Sequence, residues 1–246
     1  KRYLSHYRPG ELVLVRFGVS GILLVPLLLW QPWPQLSAVF WGWVAVSLPL
    51  ELIAMWLYML AIRDSPLSLT LPYLAFTPVF NTLTGYLLLG ETVSWAGFSG
   101  ILLVVFGAWL LNLEAAQDGA GVSVLAPFRA ITRERGSRLM LVVAAIYSLT
   151  SVTSKAAMLQ VTPGFFGAFY FVLLGSASVV LFASRDLSSW RALGRHRVAH
   201  LGVGLFMAAM VVTHFYAIAH IEVAYMVAVK RTSLLFGLLY GAWLFG

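Results

Sequence analysis

Long apolar stretches follow one another along almost the whole chain, separated by short polar breaks. They lie near residues 10–30, 37–62, 67–89, 93–113, 139–159, 164–184, 199–219 and 222–245. A helix needs about 20 mostly apolar residues to cross the hydrocarbon core of a bilayer, so each stretch is long enough to span one. The sequence therefore predicts an all-α polytopic membrane protein with eight spans formed by these residues.

The composition excludes several other classes of protein. Only 10% of the residues are charged and 61% are apolar, whereas a soluble domain carries about 25% charged residues. The chain has no cysteine, which excludes disulfides, thiol catalysis and thiolate metal sites. The net charge is +7, but basic residues beside apolar spans more often set topology or contact anionic headgroups. We therefore expect membrane lipid, and no nucleic acid, as a partner.

The two halves of the chain repeat each other. A shift of 156 residues lays 61–90 on 217–246 with seven identities, and a shift of 154 lays Lys1, Pro9 and Gly10 on Lys155, Pro163 and Gly164. We interpret residues 1–113 as a first repeat, 114–138 as a polar linker loop and 139–246 as a second repeat. By this alignment one helix would precede Lys1 and another would follow Gly246, giving five helices per repeat and ten in all. An odd number of helices inverts the second repeat, and inverted repeats are typical of secondary transporters.

Basic residues between the spans all fall on one face of the predicted membrane domain. They are Lys1, Arg2, Arg8, Arg63, Arg129, Arg133, Arg135, Arg138, Arg185, Arg191, Arg195 and Arg197. The positive-inside rule assigns the face that carries such residues to the cytoplasm. The linker 114–138 is then predicted to be cytoplasmic.

The run Ala-Ile-Arg-Asp-Ser-Pro at 61–66, followed by Thr77-Pro78, Gly85 and Leu89-Gly90-Glu91, resembles the EamA-type branch of the drug/metabolite transporter superfamily. The segment 217–246 resembles it as well. The resemblance implies a ten-helix, multi-pass transporter, most often of a bacterial inner membrane, with two inverted five-helix repeats around a central cavity. It also implies export of amino acids or other metabolites.

The sequence shows no metal cluster, phosphate-binding glycine loop or nucleophile–base triad, so we expect no enzyme activity, no catalytic residues, no metal and no cofactor.

Charged residues within the spans are the first candidates for a substrate site, because each costs about 2.5–3.5 kcal/mol at the centre of a membrane helix. Lys230 and Arg231 are adjacent and therefore point about 100° apart. We favour Lys230, since Ser233 lies on the same helical face and the pair could attract a carboxylate or phosphate. The alternative is a structural ion pair with Glu51, or an arginine that reaches the interface.

Glu51 lies in the middle of its span, with Tyr58 on the same face two turns later. It could neutralise Lys230, bind a cationic group or carry a proton, or it could hold the two halves together as a buried ion pair. In the second half, His214 and Tyr216 offer an aromatic lining suited to small organic solutes. For His214 the alternative is a core hydrogen bond.

Asn81 is the last predicted substrate-binding residue. With Thr77 and Gly85 it forms a stripe of polar or small residues, which the 156-residue shift lays on Ser233, Gly237 and Gly241. Such a stripe either lines a cavity or allows two helices to pack closely.

Together these features predict a secondary transporter that moves a small, amino-acid-like metabolite bearing a carboxylate or phosphate by alternating access. Two alternatives stay open: a non-transporting scaffold or accessory subunit that keeps the transporter fold, and a lipid flippase acting on a phosphorylated amphiphile. The expected partners are a small-molecule substrate and membrane lipid, with a possible homodimer or larger membrane complex.

Overall fold

A computed structural model of the chain describes residues 7–115, 134–183, 194, 196–233, 236 and 243, with the backbone alone at 68 and 111–115. Its helices are α1 Pro9–Trp30, α2 Ala38–Asp64, α3 Leu67–Thr70, α4 Thr77–Leu89, α5 Trp95–Ala115, α6 Arg135–Met158, α7 Pro163–Ala183, α8 Arg197–Ile218 and α9 Val223–Arg231. The last turn of α7, Val179–Ala183, and a turn within α1, Val15–Val19, are π-helical. Within the described residues five helices, α1, α2, α6, α7 and α8, are long and apolar enough to cross a membrane. The predicted all-α polytopic membrane fold is confirmed.

The helices begin and end where local chemistry satisfies their free backbone groups. At the start of α1 the Glu11 carboxylate accepts the Arg8 backbone N–H at 2.7 Å. At the start of α7 the Thr162 hydroxyl accepts the Phe165 N–H at 3.3 Å. The chain leaves α4 through Gly90, whose φ of +68° is readily adopted only by glycine. The polar breaks in the sequence therefore coincide with helix ends.

The third apolar stretch differs from the continuous span predicted at 67–89. Between α3 and α4 lies a 3-10 segment, Leu71–Phe76. Proline lacks the N–H of a helical bond and its ring clashes with the carbonyl four residues earlier, so Pro78 leaves the Leu74 carbonyl without its α-helical partner. The backbone N–H and the hydroxyl of Thr77 both donate to that carbonyl instead, the hydroxyl at 2.7 Å. Pro72 lies at the start of the 3-10 segment.

The chain forms two compact units. The first unit is Lys1–Met59 with Thr153–His220, and the second unit is Leu60–Val152 with Ile221–Gly246. Each unit draws segments from both halves of the sequence. The division into repeats at 1–113, 114–138 and 139–246 stays a prediction, and most of the linker lies outside the described residues.

The first unit is built on close contact between α1 and α7. A Cβ at Gly21 would lie 2.9 Å from the Phe171 carbonyl oxygen, and one at Gly175 would lie 2.8 Å from the Phe17 carbonyl oxygen. Small residues allow membrane helices to approach in this way. Beside this contact an aromatic cluster fills the unit, in which Phe166 meets Phe215 edge to face at 5.0 Å.

The second unit packs α9 against α4 and α5. The buried face of α9 carries Ala224 and Ala228, which join Ile101 of α5 in one apolar cluster. The face of α4 that is buried carries Thr77, Asn81 and Gly85, the predicted polar and small stripe. This stripe therefore lies inside the unit.

Polar contacts within the second unit join the end of α2 to the start of α6. Asp64 pairs with Arg63 at 2.7 Å and with Arg135 at 3.6 Å, and Ser65 donates to the Glu134 carboxylate at 3.2 Å. The start of α6 is thereby tied to the segment that joins α2 to α3.

Candidate functional site

The seven predicted substrate-binding residues fall into two sets. Glu51, Tyr58, His214 and Tyr216 belong to the first unit, and Asn81, Lys230 and Ser233 belong to the second unit. Their assignment to a substrate site stays a prediction.

Glu51 is half-buried on α2. The hydroxyl of Tyr170, buried on α7, lies near Glu51 and Ser47 and has no hydrogen-bond partner among the described residues. Ser47 is one turn before Glu51 on the same face of α2. The first unit therefore contains a small polar cluster made of one carboxyl and two hydroxyl groups.

The other predicted residues of the first unit have different surroundings. Tyr58 is half-buried on α2. The half-buried His214 ring lies 5.0 Å from the ring of Phe215. Tyr216 is 49% exposed, and its hydroxyl approaches Gly164 at the start of α7, where a Cβ would lie 2.9 Å away. Tyr216 therefore packs at a helix end.

In the second unit a charged contact joins α9 to α4. Arg231 is half-buried, and its Nη2 donates to the Thr77 hydroxyl oxygen at 2.8 Å. Thr77 is fully buried and uses its own proton on the Leu74 carbonyl. A hydroxyl has one proton and accepts through its lone pairs, so these two bonds fix the orientation of the Thr77 side chain toward Arg231.

Asn81 follows Thr77 by one helical turn. Its side chain is 1% exposed, and neither its amide oxygen nor its amide nitrogen has a hydrogen-bond partner among the described residues. A buried polar group left in this state costs about 1–3 kcal/mol. Thr77 and Asn81 are about 5–6 Å apart at Cβ, so the amide lies close to the place where the Arg231 guanidinium meets α4.

Lys230, the residue that the sequence favoured, is half-buried, and Ser233 is exposed. Gly237 and Gly241, which completed the predicted stripe, lie outside the described residues. Arg231, the neighbouring basic residue, bonds to Thr77 of α4. The sequence pattern that favoured Lys230 does not predict the bond from Arg231 to Thr77. It does, however, identify both Lys230 and Arg231 as candidates for the substrate site.

Sequence reasoning did not select Lys155 as a site residue. It is only 7% exposed near the end of α6, next to Ser154, which is 5% exposed. The sequence could have indicated Lys155, because it is a charged residue within a predicted span. The energetic cost of such a charge applies to Lys155 as it does to Lys230. Lys155 belongs to the first unit.

Two comparisons show which known proteins the chain is similar to in sequence. The model of the EamA-like transporter family matches residues 1–113. A protein of Enterobacter sp. (strain 638), described as a probable 4-amino-4-deoxy-L-arabinose-phosphoundecaprenol flippase subunit ArnE, is 34% identical over 72 residues. The matched region covers 29% of this chain and 67% of that protein.

Proposed function

Since this chain belongs to the EamA-like transporter family, we propose that it carries a small organic solute with a carboxylate or phosphate group across the membrane by alternating access. The family consists of transporters and not of enzymes. The chain is an integral, multi-pass membrane protein. We further propose a bacterial plasma membrane as its location, with the arginine-rich loops in the cytoplasm.

The observation that carries the proposal is the bond from Arg231 to Thr77 beside the buried amide of Asn81. A guanidinium pairs with a carboxylate or phosphate through two parallel N–H···O bonds. Its planar set of five donors allows another N–H to hold Thr77 at the same time. Lys230 adds a second positive charge at the adjacent position.

The Asn81 amide narrows the class of solute. It offers one acceptor and two donor hydrogens within about one helical turn of the guanidinium. A solute with a hydroxyl or amino group next to its anionic group would pair with both Arg231 and Asn81, as an amino acid or a hydroxy acid does. Ser233 remains a proposed solute contact in the same unit as Arg231 and Asn81. The assignment of Glu51, Tyr58, His214 and Tyr216 as substrate-binding residues stays a separate proposal for the first unit.

The first experiment is a thermal unfolding screen of the full-length protein in detergent, with amino acids, organic acids, phosphorylated metabolites and organic cations as probes. A solute that binds only the folded protein stabilises it by about 2.7 kcal/mol at 100 times its Kd. We expect anionic or zwitterionic probes to raise Tm in the wild type and to lose this effect in Arg231→Gln. The control is Arg197→Gln, which removes an exposed arginine and should keep the response.

Three results would contradict the proposal: stabilisation by cations alone, an equal loss of response in Arg197→Gln, or no response to any probe. The last result would favour the non-transporting scaffold or accessory subunit. Uptake of the stabilising solute into proteoliposomes then tests transport itself.

A second candidate function, lipid flipping, is favoured by the relative from Enterobacter, whose name describes a flippase subunit for a phosphoundecaprenol-linked sugar. The shared chemistry is the phosphate, which Arg231 would bind in either case. A phosphorylated polyprenol that raises Tm in wild type but not in Arg231→Gln, without uptake of any water-soluble probe, would support flipping. By the same analogy, the chain would work as one subunit of a larger membrane complex.

A further inference from the structure

We propose that Glu91, Ser94 and Tyr225 form a clasp that sets the rotation of α9 about its own axis and so decides that Arg231, and not Lys230, bonds to Thr77. The inference rests on the proposed role of Arg231 in binding an anion. It makes Glu91 and Tyr225 positioning residues for that site.

The first part of the clasp is the carboxylate of Glu91. Its Oε2 accepts the backbone N–H of Val223, the first residue of α9, at 2.8 Å. The first turn of a helix has N–H groups without helical partners, and a negative charge is favourable there. Glu222 stands at the N-cap but makes no side-chain capping bond. The acceptor at this helix start therefore comes from a residue 132 positions earlier in the chain.

The second part is the hydroxyl of Tyr225. It accepts the Ser94 backbone N–H at 2.8 Å and lies 3.1 Å from the Ser94 hydroxyl. The tyrosine ring lies directly on Gly97 of α5, where a Cβ would collide with it. Because the ring and the hydroxyl are both held, the side chain of Tyr225 fixes one direction around the α9 axis.

The end of α4 is shaped to present Glu91. After the left-handed turn at Gly90, the Glu91 N–H bonds back to the Gly85 carbonyl at 3.2 Å. A Cβ at Gly85 would lie 3.2 Å from Glu91 Oε2, closer than such contacts normally are. Gly85 thus leaves room for the carboxylate, whereas Thr77 and Asn81 on the same stripe face the Arg231 end of the contact.

The geometry of a helix connects the clasp to Arg231. From Val223 to Arg231 the helix rises about 12 Å, and one residue corresponds to a rotation of about 100°. Arg231 and Lys230 therefore exchange places if α9 turns by about 100°. Glu91 and Tyr225 hold the start of α9 against this rotation, and the bond to Thr77 holds its end.

A double-mutant cycle without any solute tests the clasp, with Tm in detergent followed by the fluorescence of the nine tryptophans. The variants are Glu91→Ala, Arg231→Gln and both together. A cap with only local effects would give additive losses, because substitutions more than about 7–10 Å apart usually add. The clasp predicts that Arg231→Gln lowers Tm in the wild type and has little or no effect in Glu91→Ala.

The substitution Glu91→Gln distinguishes the effect of the negative charge from the effect of the hydrogen bond. It removes the charge but keeps an oxygen that can accept the Val223 N–H. In Glu91→Gln the effect of Arg231→Gln should return toward its wild-type size. Glu134→Ala is the control for loss of a carboxylate in the same unit and should combine additively with Arg231→Gln. If Glu91→Ala does not fold, Tyr225→Phe removes only one hydroxyl and is expected to weaken the same coupling.

Additive losses for both Glu91→Ala and Tyr225→Phe would overturn the clasp. The anion-binding proposal would survive that outcome, because its own test depends on added solutes. Conversely, a coupled cycle together with no response to any solute would leave the clasp in place and contradict anion binding.

Discussion

At the scale of single residues, the side chain of Thr77 shows how one hydroxyl connects a backbone irregularity to a charged group. The Thr77 hydroxyl donates a hydrogen bond to the Leu74 carbonyl, which Pro78 leaves without its α-helical partner. The same hydroxyl oxygen accepts a hydrogen bond from the Arg231 guanidinium. Asn81, one turn away, has a polar amide that the described residues do not satisfy. The polar side of α4 therefore carries a hydroxyl, that of Thr77, which both donates and accepts a hydrogen bond. It also carries an amide, that of Asn81, with which a solute could pair.

Substitution of Thr77 tests this arrangement. Thr77→Val keeps the shape but removes both hydrogen bonds, of which the one to a charged group contributes about 1.5–3 kcal/mol. We expect a lower Tm in detergent and a weaker response to anionic solutes. Thr77→Ser retains the hydroxyl and should stay close to the wild type in both measurements. An equal effect of the two substitutions would argue against a role for the hydroxyl.

At the scale of helices, α1 and α7 approach until backbone meets backbone. The glycines that allow this, Gly21 and Gly175, face the carbonyl groups of Phe171 and Phe17. At other helical glycines, such as Gly107 in α5, an added Cβ would meet nothing within 4 Å. The same residue type thus has different roles in these helices.

Alanine substitutions should separate the two kinds of glycine. Gly21→Ala and Gly175→Ala force a methyl group against a backbone carbonyl, and overpacking of this kind costs about 1–3 kcal/mol. Gly107→Ala adds a better helix former in open space, which is worth up to about 1 kcal/mol. We expect Tm to fall in the first two variants and to hold or rise in the third. Equal shifts in all three would contradict the close contact.

At the scale of the whole molecule, the distribution of arginines predicts which ends of the helices face the cytoplasm. Arg138, near the start of α6, lies on the predicted cytoplasmic side, and Trp95, at the start of α5, lies on the opposite side. Both side chains are exposed. Because the chain has no cysteine, a single introduced thiol gives an unambiguous label.

We expect a membrane-impermeant maleimide to label Trp95→Cys in intact cells and to label Arg138→Cys only after the cells are made permeable. The expectation follows from the positive-inside rule. The unmodified chain serves as the blank in the same assay. Labelling of Arg138→Cys, but not Trp95→Cys, in intact cells would reverse the orientation.

Much of the helix pattern could be predicted from the sequence, because apolar length and Pro or Gly breaks are local properties. The 3-10 segment before Thr77 could also have been predicted from Pro72 and Pro78, although hydropathy alone predicts one continuous span. The bond of Arg231 to α4 could not be predicted in this way. It depends on the rotation of α9, and that rotation depends on a contact between Glu91 and Val223, which are far apart in the chain.

The interrupted helix also changes how far the chain reaches. A 3-10 segment rises about 2.0 Å per residue, against about 1.5 Å in an α-helix. The path from Leu67 through Leu71–Phe76 to Leu89 is therefore about 38 Å long, or about 3 Å longer than the same residues in one α-helix. The hydrocarbon core is about 30 Å thick, whereas α4 alone measures about 20 Å. These residues thus have enough length to cross a bilayer although none of their helices does so alone.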